Sequence, residues 1–156
     1  MLKITIPDYG QLQLQHLVLD FNGTLACDGK LLPGAAQRLN QLAEQLRVHI
    51  ITADTFGSVA EETSAFSREL VVISPSSQDK AKDDYVRQLG PATVIAVGNG
   101  RNDRLMLKSA VLGIATVQTE GAATEAIQSA DLLVPDILAA LDLLINPKRL
   151  IATLRN

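Results

Sequence analysis

The chain has no tryptophan, two tyrosines and three phenylalanines. So few rings offer no stacking platform for bases, the usual support of single-strand nucleic-acid binding. Neither sign of charge dominates: 14 basic residues stand against 17 acidic ones, for a net charge of −3. Without a basic stripe, a general nucleic-acid binder is excluded as well. The single cysteine, Cys27, allows no internal disulfide, which fits a reducing cytoplasm. Long apolar runs are missing too. The most apolar late stretch, 132–145, is broken by Pro135, Asp136 and Asp142, so it does not span a bilayer. The N-terminus shows no signal-peptide pattern. These absences predict a cytoplasmic chain with no membrane and no nucleic-acid partner. At 156 residues, 47% of them hydrophobic, it is expected to be one domain with a core that needs no disulfide or structural metal.

What is present is a regular alternation of strand and helix. Leu2–Ile6 and Gln11–Gln15 alternate at period two around the turn Pro7-Asp8-Tyr9-Gly10. They predict a hairpin whose second arm runs into a buried strand at Leu17. Further buried strands are expected at 48–51, 70–73, 93–97, 111–115 and 131–134. Helices are expected from Pro33-Gly34 through Leu46, from Thr55 or Ser58 toward Phe66, and from a Ser77 cap to Leu89. Others should cover 102–109, 122–129 and 136–145. Strands separated by helices imply right-handed crossovers and a parallel sheet covered on both faces. The predicted fold is a single doubly wound, Rossmann-like α/β domain. Residues 1–16 form a hairpin extension, 17–145 the core and 146–156 a C-terminal tail.

Ligands of such a sheet bind outside the carboxyl ends of its strands. The residues just past each strand are therefore the informative ones. The first buried strand ends in Asp20-Phe21-Asn22-Gly23-Thr24, the second in Thr52-Ala53-Asp54, and the fourth in Gly98-Asn99-Gly100-Arg101-Asn102-Asp103. The helix after the third carries Lys80 and Lys82. Taken alone, Asp20 reads equally as a nucleophile or as the end of a strand at an Asn-Gly turn. Together the loops assemble a carboxylate, a hydroxyl, a lysine and an Asn/Asp pair with hard oxygen donors. That set suits phosphoryl transfer assisted by a hard cation.

The run Asp-x-x-Gly-Thr-Leu, a strand ending in Thr, a lysine and Gly-x-Gly-x-Asn-Asp resembles the haloacid dehalogenase superfamily. Four segments narrow the likeness to the phosphorylation domain of P-type ATPases, in a stand-alone form. These are Thr52-Ala53-Asp54, Lys82 ahead of Val86 and Leu89, Gly98–Asp103, and Gly113-Ile114-Ala115 with Ala130-Asp131 beyond it. The resemblance covers Leu17 to about Leu141. It implies that Asp20 is the nucleophile that becomes an aspartyl-phosphate. Thr52 and Ala53 would hold the phosphoryl group. Lys82, or alternatively Lys80, would neutralise it. Mg²⁺ would sit between the Asp20 carboxylate, the backbone carbonyl of Asn22, and Asn99 or Asp103. Gly98, Asn102 and Thr24 would support the loops. The implied partner is a phosphorylated substrate.

The departures from the pattern matter equally. Phosphatases of this superfamily carry a second aspartate where this chain has Asn22, and an amide cannot exchange a proton near neutral pH. General acid–base help is worth about 10²- to 10⁴-fold, so turnover is expected to be slow. Asn99 replaces a carboxylate in the metal loop, which weakens the site for Mg²⁺. No cap domain or nucleotide-binding insertion fits between the motifs, and the crevice is expected to be open. Two function classes remain: a slow Mg²⁺-dependent phosphohydrolase or phosphotransferase, and a catalytically weakened module that binds a phosphorylated ligand or a protein. An exposed hairpin edge and an uncapped crevice predict a homo-oligomer. Cys27 reads as a small buried hydrophobe, His16 and His49 as structural, and the basic tail 147–155 as a solvated or docked terminus.

Overall fold

The computed structural model describes residues 1–53 and 58–156. Alternation near the N-terminus builds an antiparallel hairpin, β1 (Leu2–Ile6) and β2 (Gly10–Leu14), with Leu2 opposite Leu14 and Ile4 opposite Leu12. Its apolar face is buried, while Lys3, Thr5, Gln11 and Gln13 face out. The chain then enters β3 (His16–Asp20), in which Leu17, Val18 and Leu19 are fully buried. A short flap comes next, β4 (Ala26–Cys27) and β5 (Lys30–Leu31).

From there helices and strands alternate: α1 (Ala35–Ala43), β6 (Arg47–Thr52), α2 (Ser58–Glu62), β7 (Glu69–Val72), α3 (Gln78–Leu89) and β8 (Val94–Gly98). A 3₁₀ turn over Arg101–Asp103 leads into α4 (Arg104–Ser109). The chain continues through β9 (Leu112–Thr116), α5 (Thr124–Ser129), β10 (Leu132–Val134), α6 (Ile137–Ile145) and α7 (Pro147–Leu154).

Six strands form one parallel sheet in the order β10-β9-β8-β3-β6-β7. The chain moves outward from β3 through β6 to β7, then returns to the other side of β3 as β8. The strand order therefore reverses between β3 and β8, where open α/β sheets hold their ligands. One face of the sheet packs Leu17, Leu19, Ile50 and Val97 with residues of α1, α6, α7 and the hairpin. The other packs Val18, Ile51 and Ala96 with residues of α3, α4 and α5. Both faces are apolar, so β3 and β8 read as continuous hydrophobic runs rather than alternating ones.

The predicted Rossmann-like sheet is present, with local corrections. The strand expected to be buried at 70–73 is the edge strand β7, where Val72 is 58% exposed. The helix expected through Leu46 ends at Ala43, and the chain turns before β6 through backbone bonds from Gln45 and Leu46 to the Leu42 carbonyl. Ser77 stands at the N-cap position of α3, but its φ is 53° and its side chain makes no capping bond. Of the two readings of the tail, solvated or docked, the docked one holds, in a helix that sequence reasoning did not expect. Residues 147–154 are helical, Leu150 is fully buried, and α7 packs against β1. Asp136 does cap α6, accepting from the Ala139 amide at 2.7 Å. Thr55, a possible helix start, and Asp54 of the Thr52-Ala53-Asp54 motif lie outside the described residues.

Candidate active site

Asp20 ends β3 and Gly98 ends β8, the two strands that flank the reversal. Lys82 reaches the gap between them from the second turn of α3. Its Nζ lies 2.6 Å from Asp20 Oδ1 and 2.6 Å from Asp103 Oδ1. The side chains of Lys82, Asp20 and Asp103 are 1%, 9% and 0% exposed, so this is an ion cluster inside the protein. Lys80 is exposed, and the choice between the two lysines falls to Lys82. The helix explains it: Lys82 and the buried Val86 are four residues apart and share the inward face of α3.

Asp103 is held from both sides. Its Oδ2 accepts from the backbone N–H groups of Asn99 (2.9 Å) and Gly100 (2.8 Å). Gly98 makes this possible, because a Cβ there would stand 2.5 Å from Asp103 Cγ. Asn102 donates to Gln78 Oε1 at 2.7 Å and ties the loop to the start of α3. Asp103, expected as a possible metal ligand, accepts from Lys82 through one oxygen and from the loop backbone through the other.

Asp20 is held more loosely. Beyond Lys82 it accepts from the Phe21 backbone and, at Oδ2, from the Thr24 hydroxyl at 3.5 Å, the outer limit of a hydrogen bond. Burial and the neighbouring Asp103 push its carboxyl up to about 7, with Lys82 pulling the other way. Burial would lower the Lys82 pKa, but the two carboxylates outweigh it and raise it. The ammonium stays charged, and with both carboxylates ionised the cluster carries one surplus negative charge.

Thr24 is fully buried, and its single hydroxyl hydrogen is shared between Asp20 Oδ2 and Asn99 Oδ1, the latter at 3.2 Å. The Asn99 amide nitrogen donates to the Gly121 carbonyl at 3.0 Å. Gly23, at φ 78°, lets that amide in: a Cβ there would lie 2.4 Å from Asn99 Nδ2. Thr52 is buried at the end of β6, one residue past Ile51, the register partner of Asp20. Ala53 is the next residue along. Asn22 is exposed and pairs through its backbone with Ala26. The hard-oxygen groups gathered at this end of β3 and β8 are the carboxylates of Asp20 and Asp103 and, linked to Asp20 through the Thr24 hydroxyl, the Asn99 side-chain oxygen. Oxygen donors beside surplus negative charge fit a cation such as Mg²⁺.

Two groups expected to be plain core differ in detail. Cys27 is only partly buried, and its Sγ and the carboxylates of Asp28 and Glu120 lie within 4.8 Å of one another. Desolvation and those two acids raise the thiol pKa, so it stays protonated and unreactive. His49 is fully buried. It meets His16 at 2.9 Å and the Tyr85 hydroxyl at 2.9 Å, with Glu69 at 3.3 Å. Sequence reasoning missed Gln118, which lies in the loop after β9 and bonds to the carbonyls of Gly23 and Thr24. An isolated glutamine in a loop carries no sequence signal.

No family model matches the chain. The uncharacterized protein MJ0073 of Methanocaldococcus jannaschii is 54% identical over 63 residues, which span 40% of this chain and 68% of that protein. This chain belongs to the same family. The solved structures relate the MJ0073 family to a wider group by fold. One is 3-deoxy-D-manno-octulosonate 8-phosphate phosphatase from Moraxella catarrhalis, in complex with magnesium, phosphate and KDO. It superposes with a TM-score of 0.69 at 15% identity, covering 92% of this chain and 94% of that one. Another is the cobalt-bound deoxy-D-mannose-octulosonate 8-phosphate phosphatase from Haemophilus influenzae. Its TM-score is 0.70 at 10% identity, with the same coverage. The MJ0073 family member described here thus has the haloacid dehalogenase-type Rossmann fold. No helix among its described residues is long and apolar enough to cross a membrane.

Proposed function

We propose that the chain is a divalent-cation-dependent phosphohydrolase or phosphotransferase that works through an aspartyl-phosphate on Asp20. The observation that carries this reading is the buried Asp20–Lys82–Asp103 cluster at the strand-order reversal. A lysine held between two carboxylates neutralises a nucleophile and the charge brought by a phosphoryl group. Phosphoryl transfer asks little else of a protein than position and charge. Phosphatases among the solved structures of the same fold, one holding magnesium and phosphate, support the reading.

In this scheme an Asp20 oxygen attacks phosphorus, and the bond from phosphorus to the leaving oxygen breaks. Lys82 balances the charge that gathers between nucleophile and phosphoryl group. Thr52 and the backbone at Ala53 bind the phosphoryl oxygens. Mg²⁺ would be held by the Asp20 carboxylate, the Asn22 carbonyl and Asn99, and when bound would supply positive charge to the phosphoryl oxygens. Asp103 then serves as the anchor of Lys82 and of the 98–103 loop. The finer likeness to a P-type ATPase phosphorylation domain rests on Lys82 and that loop.

Asn22 sets the rate. Water must be activated to break the aspartyl-phosphate, and an exposed amide cannot take its proton. The wild type is therefore a slow enzyme that accumulates phosphoenzyme. Rapid-quench labelling with radioactive acetyl phosphate and Mg²⁺ tests this. Expected are a burst of label on Asp20, none in Asp20→Asn, and turnover about 10²-fold faster or more in Asn22→Asp. No label in wild type or Asn22→Asp would overturn the enzymatic reading. It would favour the second one, a binding module, for which the Asn99 amide bonded at both ends is the supporting observation.

A further inference from the structure

The loop just past the nucleophile is short of internal donors. Its backbone bonds run from Gly23 N to Ala26 O and from Thr24 N and Ala26 N to Phe21 O. The carbonyls of Gly23 and Thr24 are left to an outside donor. Gln118 provides it: Nε2 donates to Gly23 O at 2.8 Å and to Thr24 O at 2.7 Å, one hydrogen each. Its Oε1 accepts from Ile137 N at 2.9 Å, the first amide of α6. Two donors and one acceptor are all used, and the acceptor end meets an amide that no helical carbonyl can serve. The Gln118 backbone is itself fixed by a turn, its carbonyl accepting from Gly121 N at 2.8 Å.

This side chain ties three segments together: the nucleophile loop, the turn after β9 and the N-terminus of α6. What it holds is the peptide of Thr24, whose hydroxyl bridges Asp20 Oδ2 and Asn99 Oδ1. We propose that Gln118 is a positioning residue for the Asp20 centre. It holds the Gly23–Thr24 carbonyls so that Thr24 presents its hydroxyl to the Asp20 carboxylate. The proposal rests on the reading of Asp20 as nucleophile. The chemistry admits no close substitute. Glutamate would set a carboxylate against two carbonyls, and methionine keeps the length but has no donor. Gln118 also lines an open cleft of about 470 Å³ with Gly23, Cys27 and Leu138. Gln118 is itself only partly buried, at the wall of that cleft rather than in the core, so these variants are expected to fold while the tether is lost.

The test compares wild type with Gln118→Met and Gln118→Glu on two independent readouts. Hydrogen exchange of the Gly23, Thr24 and Ala26 amides should quicken about 10-fold or more, with Val18 and Val97 unchanged as the internal control. Labelling of Asp20 at saturating acetyl phosphate should slow by about 10- to 100-fold with KM within about twofold, because a small misplacement of the reacting group costs rate rather than binding. Unchanged loop exchange in both variants overturns the tether. Faster loop exchange with an unchanged labelling rate overturns the positioning role. If wild type takes no label, the reading of Asp20 falls, while the exchange result still decides whether Gln118 holds the loop.

Discussion

Helix α3 carries two buried polar clusters on its inward side, and they are built on opposite terms. Lys82 enters the charged group with Asp20 and Asp103. Tyr85, three residues on, enters a hydrogen-bonded chain with His49 and His16. Burial, outweighing Glu69, lowers the pKa of His49, and burial with Arg47 lowers that of His16. Both rings are neutral at pH 7. The two rings of the histidine chain carry no charge, and the only charge near it is the largely exposed Glu69 carboxylate, 3.3 Å from His49 Nδ1. The aspartate group differs, because two carboxylates share one ammonium. A neutral network serves folding. Once Asp20 ionises, above about pH 7, a buried group of two carboxylates and one ammonium is costly on its own, and a cation or a phosphoryl group is what would balance it on the reading proposed above.

That contrast makes three predictions. The largest effect belongs to Lys82→Met, which leaves two carboxylates facing each other in the interior. Removing one partner of a buried pair costs about 3–5 kcal/mol, while Lys80→Ala on the exposed side should stay within about 0.5 kcal/mol. Urea unfolding of the two variants measures both, and equal losses would break the comparison. Next is His49→Phe, which strands His16 and the Tyr85 hydroxyl at a cost of about 1–3 kcal/mol. Labelling of Asp20 should be unchanged in that variant. A protein that stays stable but takes no label would move the histidines into the reactive site.

The smallest effect has the opposite sign. The folded Asp20 pKa, about 7, is raised above the unfolded carboxylate value of about 3.9. Between those values the native state binds more protons than the unfolded chain, so its stability falls as pH rises through the window. Asp20→Asn escapes that loss. Without metal, its melting temperature should match wild type near pH 4. Above pH 7 it should melt higher than wild type, by less than the linkage alone would give, because the amide weakens the bond from Lys82. A pH series of thermal melts decides. Mg²⁺ should shrink the gap by stabilising only the wild type.

The sheet was legible because β3 and β8 are apolar runs ending in polar loops, and β6 is one interrupted only by His49, the pattern of strands buried on both faces. Asp20, Thr52 and the 98–103 loop were legible for the same reason, each at the end of such a run. The choice of Lys82 over Lys80 was available in principle, since only residue 82 shares the helical stripe of Val86. The flap was not legible, because two-residue strands have no period. Its anchors, Glu62 on Lys30 and on the Leu31 amide, are long-range side-chain bonds. The C-terminal segment was read as a solvated or docked terminus, and its helix went unread behind the opening Pro147-Lys148-Arg149. That is a proline-led first turn of a helix, and Leu150 behind it is the buried anchor.

The spacing of the ion cluster along the chain has a kinetic consequence. Asp20 meets Lys82 across 62 positions, and Lys82 meets Asp103 across 21. The hairpin, in contrast, pairs within the first fourteen residues. Distant pairings form late, because loop closure must precede their reward. During synthesis from the N-terminus, β3 and β6 emerge and pair while Asp20 has neither its counter-ion nor the loop that anchors it. The carboxylate is buried only when α3 and β8 dock around the reversal. Assembly of the ion cluster therefore waits on the docking of distant elements, and on the proposed reading of Asp20 a chain folded only through β6 would have no working site.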